Sequence, residues 1–209
     1  MLLFLSNNSA TVQSAMGQSL SSLPSSPPSP PSSSASNTNT TSNFLTYNNP
    51  ILGIQIQYPS DWSVIENSYN PEAENNTIVG FFAQSKTSSE LGNVSGVSGS
   101  FVPYLDIYVF DSKKMSFDKI IDATVNKFRN NENFVINESK PFTVKGNHPA
   151  HMLVYDAIVG GDEIFRKMQV YVMSSDKIYL ISFTSQEALF SNYLPLVQKM
   201  VSSFEIKKT

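Results

Sequence analysis

Apolar residues between positions 44 and 206 follow two different periods, and the change of period marks the elements. In "GIQIQYPSDW", Ile54, Ile56 and Tyr58 fall on one face of an alternating stretch that stops at Pro59. Similar short alternations predict strands over 44–47, 54–58, 64–66, 78–84 and 104–110. In the last of these, "YLDIYVF", Leu105, Ile107 and Val109 oppose Tyr104, Asp106, Tyr108 and Phe110, so both faces carry apolar bulk and the strand belongs in a sheet interior. The period then lengthens. Phe117, Ile120, Ile121, Thr124, Val125 and Phe128 recur at spacings of three and four, while Lys119, Asp122, Asn126 and Lys127 lie elsewhere. That is an amphipathic helix, with Ser116 as N-cap and Asp118 in its first turn. Burying its five large apolar members contributes at most roughly 8–15 kcal/mol.

Four longer strands follow, over 134–144, 150–159, 164–173 and 178–184. The segments between them, "KGNHP", "GGDE" and "SSDK", hold the Gly, Asn, Pro and Asp that tight turns require, so these strands form an antiparallel meander. A final helix carries Tyr193, Leu196, Val197, Met200, Val201 and Phe204 on one side. Pro195 fits it if Asn192 is the N-cap, since a first-turn nitrogen has no intrahelical partner to lose. The pattern therefore predicts an α+β fold, one antiparallel sheet covered by helices, over residues 44–206.

Ahead of this domain the composition changes. Residues 17–43 are dominated by Ser, Pro, Thr and Asn and read as a disordered linker, a stalk able to hold a domain off a surface. Residues 1–16 begin "MLLFL", too few apolar positions to span a bilayer. They read as the remnant of a signal peptide or membrane anchor whose start lies upstream, with small residues in "QSAMG" suited to cleavage. Asn-x-Ser/Thr triplets begin at Asn7, Asn39, Asn75, Asn93 and Asn137, a density compatible with glycosylation of an exported chain. The expected setting is extracytoplasmic, at a cell surface or tethered to a membrane through the N-terminal anchor. The 14 Lys and Arg against 17 Asp and Glu give a net charge of −3 without a concentrated basic surface, which argues against nucleic acid. The chain has no cysteine, which excludes disulfides, thiolate metal sites, cysteine nucleophiles and lipid attachment through an N-terminal cysteine.

Few residues offer chemistry. His148 and His151 in "GNHPAH" are the only histidines, but residues three apart on a strand face opposite ways and Pro149 between them is turn chemistry. Asp162 and Glu163 in a hairpin turn, with Asp156 on the preceding strand, are candidate ligands for calcium or manganese. Calcium wants six to eight oxygens, however, and no Asp-x-Asp-x-Asp-Gly loop supplies them. Glu72 and Glu74 share that ambiguity. Gly92, Gly96 and Gly99 lack the Lys-Ser/Thr and helix start of a phosphate cradle. No Gly-x-Ser-x-Gly elbow occurs, so a hydrolase would need a Ser or Asp placed beside one histidine in a cleft. The expectation is a non-enzyme without a resident cofactor.

The order of "YNNPILGIQIQYPSDWSV", the helix, "GNHPAHMLVYD", "KIYLISFTS" and "YLPLVQKMVSSFEI" resembles the PsbP-like family, which shares a fold with the Mog-type Ran-binding proteins. The resemblance covers 44–206 and implies an α/β/α sandwich, here in a prokaryotic relative working outside photosynthesis. It also implies structural roles at the end of the opening strand. Pro59 would remove a ladder donor, Asp61 would close the turn through its carboxylate, and Trp62 would fold back as a plug over a sheet end. PsbP proteins of photosynthetic organisms are extrinsic lumenal subunits that support retention of calcium and chloride in photosystem II. That role does not carry across, because a Ser/Pro stalk replaces their N-terminal segment and no metal residues align. The leading expectation is an exported, surface-tethered, noncatalytic module that binds a partner protein or stabilises a membrane-associated complex. The alternatives are a divalent-cation or small-ligand binding module and a hydrolase.

Overall fold

The two periodicities resolve as strands and helices in a computed structural model that describes residues 43–67, 76–84, 101–159 and 163–207. In chain order these are β1 (Phe44–Asn49), β2 (Ile54–Pro59), β3 (Ser63–Glu66), β4 (Asn76–Phe82) and β5 (Tyr104–Asp111), then α1 (Phe117–Arg129). After it come β6 (Phe134–Thr143), β7 (Pro149–Val159), β8 (Glu163–Ser174), β9 (Lys177–Gln186), α2 (Glu187–Ser203) and β10 (Glu205–Ile206).

The strands form two sheets rather than the single sheet expected. Seven strands lie in the order β3-β4-β5-β9-β8-β7-β6 and three in the order β1-β2-β10. Every pair is antiparallel, and the meander from β6 to β9 is present in full. The small sheet escapes a local reading because its third strand comes from the far end of the chain. Ile206 and Glu205 pair with Ile54 and Gln55, and the Lys207 amide donates to the Gly53 carbonyl at 2.7 Å.

Alternation assigns the two faces of the large sheet. Leu105, Ile107 and Val109 of β5, with Ile181 and Phe183 of β9 and Met168 and Val170 of β8, share one core with Ile54 and Ile56 of β2. Leu189, Phe190, Tyr193, Val197, Met200 and Val201 of α2, with Phe204 at its C-cap, complete it. On the opposite face Leu153, Tyr155 and Ala157 of β7 and Tyr171 of β8 meet Ile120, Ile121 and Val125 of α1. One helix thus covers each face. Three members of the α1 stripe are buried, whereas Phe117 and Phe128 are only partly so, which places its contribution toward the low end of the expected range.

Helix starts differ in instructive ways. Ser116 occupies the N-cap of α1 with extended backbone, yet its side chain makes no capping bond. α2 begins at Glu187, well before Asn192, so Pro195 lies in the helix interior and not in its first turn. The burial of Leu189 and Phe190 in the main core explains the earlier start, offsetting a backbone bond whose loss costs about 3 kcal/mol. After β2 the turn closes through backbone, with the Trp62 amide donating to the Pro59 carbonyl at 3.0 Å, while Asp61 is exposed. Trp62 is buried, its ring edge-on to Tyr193 of α2 at 6.2 Å. Among the described residues no helix is long and apolar enough to cross a membrane.

Candidate functional site

The antiparallel order brings four connections and one strand end to one end of the large sheet. The loop after β5, the β6–β7 turn and the β8–β9 turn lie there with the β1–β2 loop and the end of β10. These connections are tight: Gly53, Lys113, Lys114, Gly146, Asn147 and Ser175 all have positive φ. At Gly146 the need for glycine is twofold, because φ is +86° and a Cβ would sit 3.1 Å from the His148 ring. Gly146 thereby leaves room for the His148 ring. His148 divides two clefts. The first, about 500 Å³, is walled by Ile51, Leu52, Ser174, Ser175, Asp176, Lys177, Tyr179, Ile206 and Lys207. The second, about 450 Å³, is walled by Phe117, Asp118, Phe142, Asn147 and His151.

Both histidines therefore border the second cleft, although strand alternation would separate them. His148 precedes Pro149, where β7 begins, so the alternation does not govern it. His151 Nε2 lies 2.9 Å from Ser139 Oγ across the β6–β7 pair. Burial disfavours the charged imidazole and lowers its pKa, against the opposing charge of Asp122 on α1. This is a Ser–His contact in which burial makes the imidazole harder to protonate and the charge of Asp122 works the other way. Among the described residues no group of three or more His, Asp or Glu side chains able to hold a metal ion occurs.

The acidic candidates are dispersed. Asp156 receives two hydrogen bonds from Arg166, at 2.7 and 2.9 Å, and Arg166 also reaches Glu187 at 3.2 Å and stands over the Phe190 ring. Burial works against ionisation of Asp156, but bonds from Arg166 and Asn137 and the guanidinium charge outweigh it and hold the carboxyl below its usual range. The pair ties the β7–β8 hairpin to the first turn of α2. Glu163 accepts a bond from Gln186 Nε2 at 3.3 Å. Asn137, exposed, sits at a bulge in the edge strand β6, between Ile136 and Glu138. Asp162, Glu72, Glu74, Gly92, Gly96, Gly99, Asn7, Asn39, Asn75 and Asn93 lie outside the described residues, as do segment 1–16 and nearly all of 17–43.

A second polar group went unrecognised in the sequence. Asp106 is 9% exposed, accepts the Tyr108 hydroxyl at 2.9 Å and owes its space to Gly80, where a Cβ would stand 2.8 Å from Asp106 Oδ1. Burial raises the Asp106 carboxyl and lowers the Lys167 amine, each opposed by the other's charge. Tyr171 donates to Gln169 at 2.7 Å, and Gln169 reaches Ser182. The available signal was an aspartate between tyrosines in the middle of an interior strand. Its members bond chiefly to one another, so the group satisfies itself rather than presenting free donors.

Residues 19–206 match the protein family described as PsbP-like protein. Among solved structures, the chain is similar to the cyanobacterial PsbP (CyanoP) of Synechocystis, with a TM-score of 0.52 and 13% identity over 83% of this chain and 98% of that one. It is also similar to LpqN of Mycobacterium tuberculosis, which is involved in cell envelope biogenesis, with a TM-score of 0.55 and 11% identity over 79% and 91%. The Ran-binding protein Mog1p of Saccharomyces cerevisiae gives a TM-score of 0.50 and 12% identity over 79% and 96%. Identities this low speak to the fold alone. No curated protein matches the chain.

Proposed function

The chain belongs to the PsbP-like protein family, and on that premise we propose that it is an exported, surface-tethered, noncatalytic module that docks a protein partner at the cell envelope through the His148 end of its sheet. The observation that carries this reading is the 77% exposure of Ile51 on the β1–β2 loop that walls the first cleft. Large apolar side chains held out on tight turns beside concave surface suit a protein interface. The involvement of LpqN in cell envelope biogenesis and the Ran binding of Mog1p support the same direction. A photo-crosslinking amino acid at position 51 or 115, in cells that make the protein natively, should capture one discrete partner. The same residue at position 132, in the turn between α1 and β6 at the opposite end, should not. Equal capture from all three positions overturns the reading.

The Ser139–His151 contact at 2.9 Å favours a second reading, a serine hydrolase acting on the exposed β6–β7 surface where His151 borders the second cleft. That reading requires labelling by a fluorophosphonate probe, lost in Ser139→Ala and in His151→Gln. Absence of label on the folded chain removes it.

A further inference from the structure

Five Asn-x-Ser/Thr triplets run along the chain, and Asn137 begins the one whose three members all lie among the described residues. In β6 the pairing with β7 steps from Ile136 opposite Tyr155 to Glu138 opposite Val154, so Asn137 is the extra residue of a bulge. A bulged residue leaves the ladder, and its side chain is re-aimed. Asn137, Glu138 and Ser139 are all exposed, and the Ser139 hydroxyl meets His151 on that open surface. The Asn137 side chain donates to Asp156, the cross-strand partner of Val135, which places it on the face where Val135 stands 51% exposed. The middle position of the triplet is Glu138 and not proline, as an acceptor requires.

We propose that Asn137 is an N-glycosylation site, which receives a saccharide from a polyprenyl-phosphate-linked sugar donor when the chain is exported. This rests on the exported setting proposed above and goes beyond it. The transfer balances at the side-chain amide. Asn137 Nδ2 bonds to the anomeric carbon of the sugar, the bond from that carbon to the lipid phosphate breaks, and Nδ2 gives up one proton. The second N–H stays on Nδ2, so the modified side chain keeps a donor for Asp156. A saccharide there is bulky and solubilising, and it covers Val135 on the same face. Asn137 lies in the half of β6 that follows the α1–β6 turn, so the sugar leaves the His148 end free for a partner.

The test takes the full-length chain from cells that make it natively, digests it with trypsin and reads the peptide of residues 130–145 by mass spectrometry. Asn137 heads the single triplet in that peptide. The expected result is a mass increment of whole sugar residues on Asn137, lost in Asn137→Gln and in Ser139→Ala and kept in Ser139→Thr, which preserves the acceptor triplet. A membrane-impermeant protease applied to intact cells reads the setting in parallel. A bare Asn137 on chain that the protease removes sinks this inference alone. A sugar on another residue of the peptide, or one that survives Ser139→Ala, overturns it as well. A bare Asn137 on chain that the protease cannot reach sinks the exported, surface-tethered setting itself.

Discussion

Removing the Arg166 side chain tests whether the carboxylate once expected to hold a metal is instead a structural tie. Arg166→Ala deletes both bonds to Asp156 and the contact with Glu187, and leaves Asp156, 15% exposed, with the Asn137 bond but without its countercharge. A fully buried pair broken on one side costs about 3–5 kcal/mol and an exposed pair under about 1, so this partly buried bidentate pair should cost roughly 1–3 kcal/mol. For a chain of this size that lowers the melting temperature by roughly 2–12 °C. The pH dependence has a definite sign. Asp156 is depressed in the fold, so its stabilisation is complete above its unfolded value near 3.8 and is lost as pH falls through the lower folded value. Thermal melts by circular dichroism should show the gap between wild type and Arg166→Ala at neutral pH and its closing under acid. Asp156→Ala should cost less when made on top of Arg166→Ala than alone. Equal melting temperatures at neutral pH, or a gap undiminished in acid, would refute the tie.

Ile121→Asp places a charge against Leu153 and Tyr155 in the α1 core and should abolish cooperative unfolding in urea; a wild-type transition would contradict that core assignment. Deleting residues 1–42 keeps the Asn43 carbonyl that accepts the Ser60 amide at 2.8 Å, and should leave the melting temperature unchanged by calorimetry. A broadened or lowered transition would place the domain boundary further upstream. Calcium or manganese should leave the melting temperature unmoved, because Arg166 occupies the Asp156 carboxylate and Gln186 engages Glu163; a concentration-dependent rise would restore the cation-binding reading.

Local periodicity is legible where one element meets one layer. The α1 stripe from Phe117 to Phe128 and the turns between β6 and β9 are of that kind, because each is fixed by neighbours in sequence. Legibility fails where a partner comes from far along the chain. Nothing near Glu205 announces that it will pair with Gln55, so the second sheet stays hidden, and with it the first cleft. Pro195 misdirects for a different reason: its usual preference for a first helical turn yields to the burial of Leu189 and Phe190 upstream. His148 and His151 show a third cause, since a turn residue ahead of Pro149 does not obey the alternation of the strand that follows. The family, carried by the order of several weak motifs, was legible; the surface proposed to meet a partner is a tertiary product.

The claim on which the functional account turns is that one end of this sheet, and not the other, meets the partner. Its most direct measurement is the ratio of crosslinked product from position 51 to that from position 132 in native cells. A discrete adduct at 51 with none at 132 is the result the account predicts. Adducts of equal yield at both positions, or an adduct confined to 132, would contradict it.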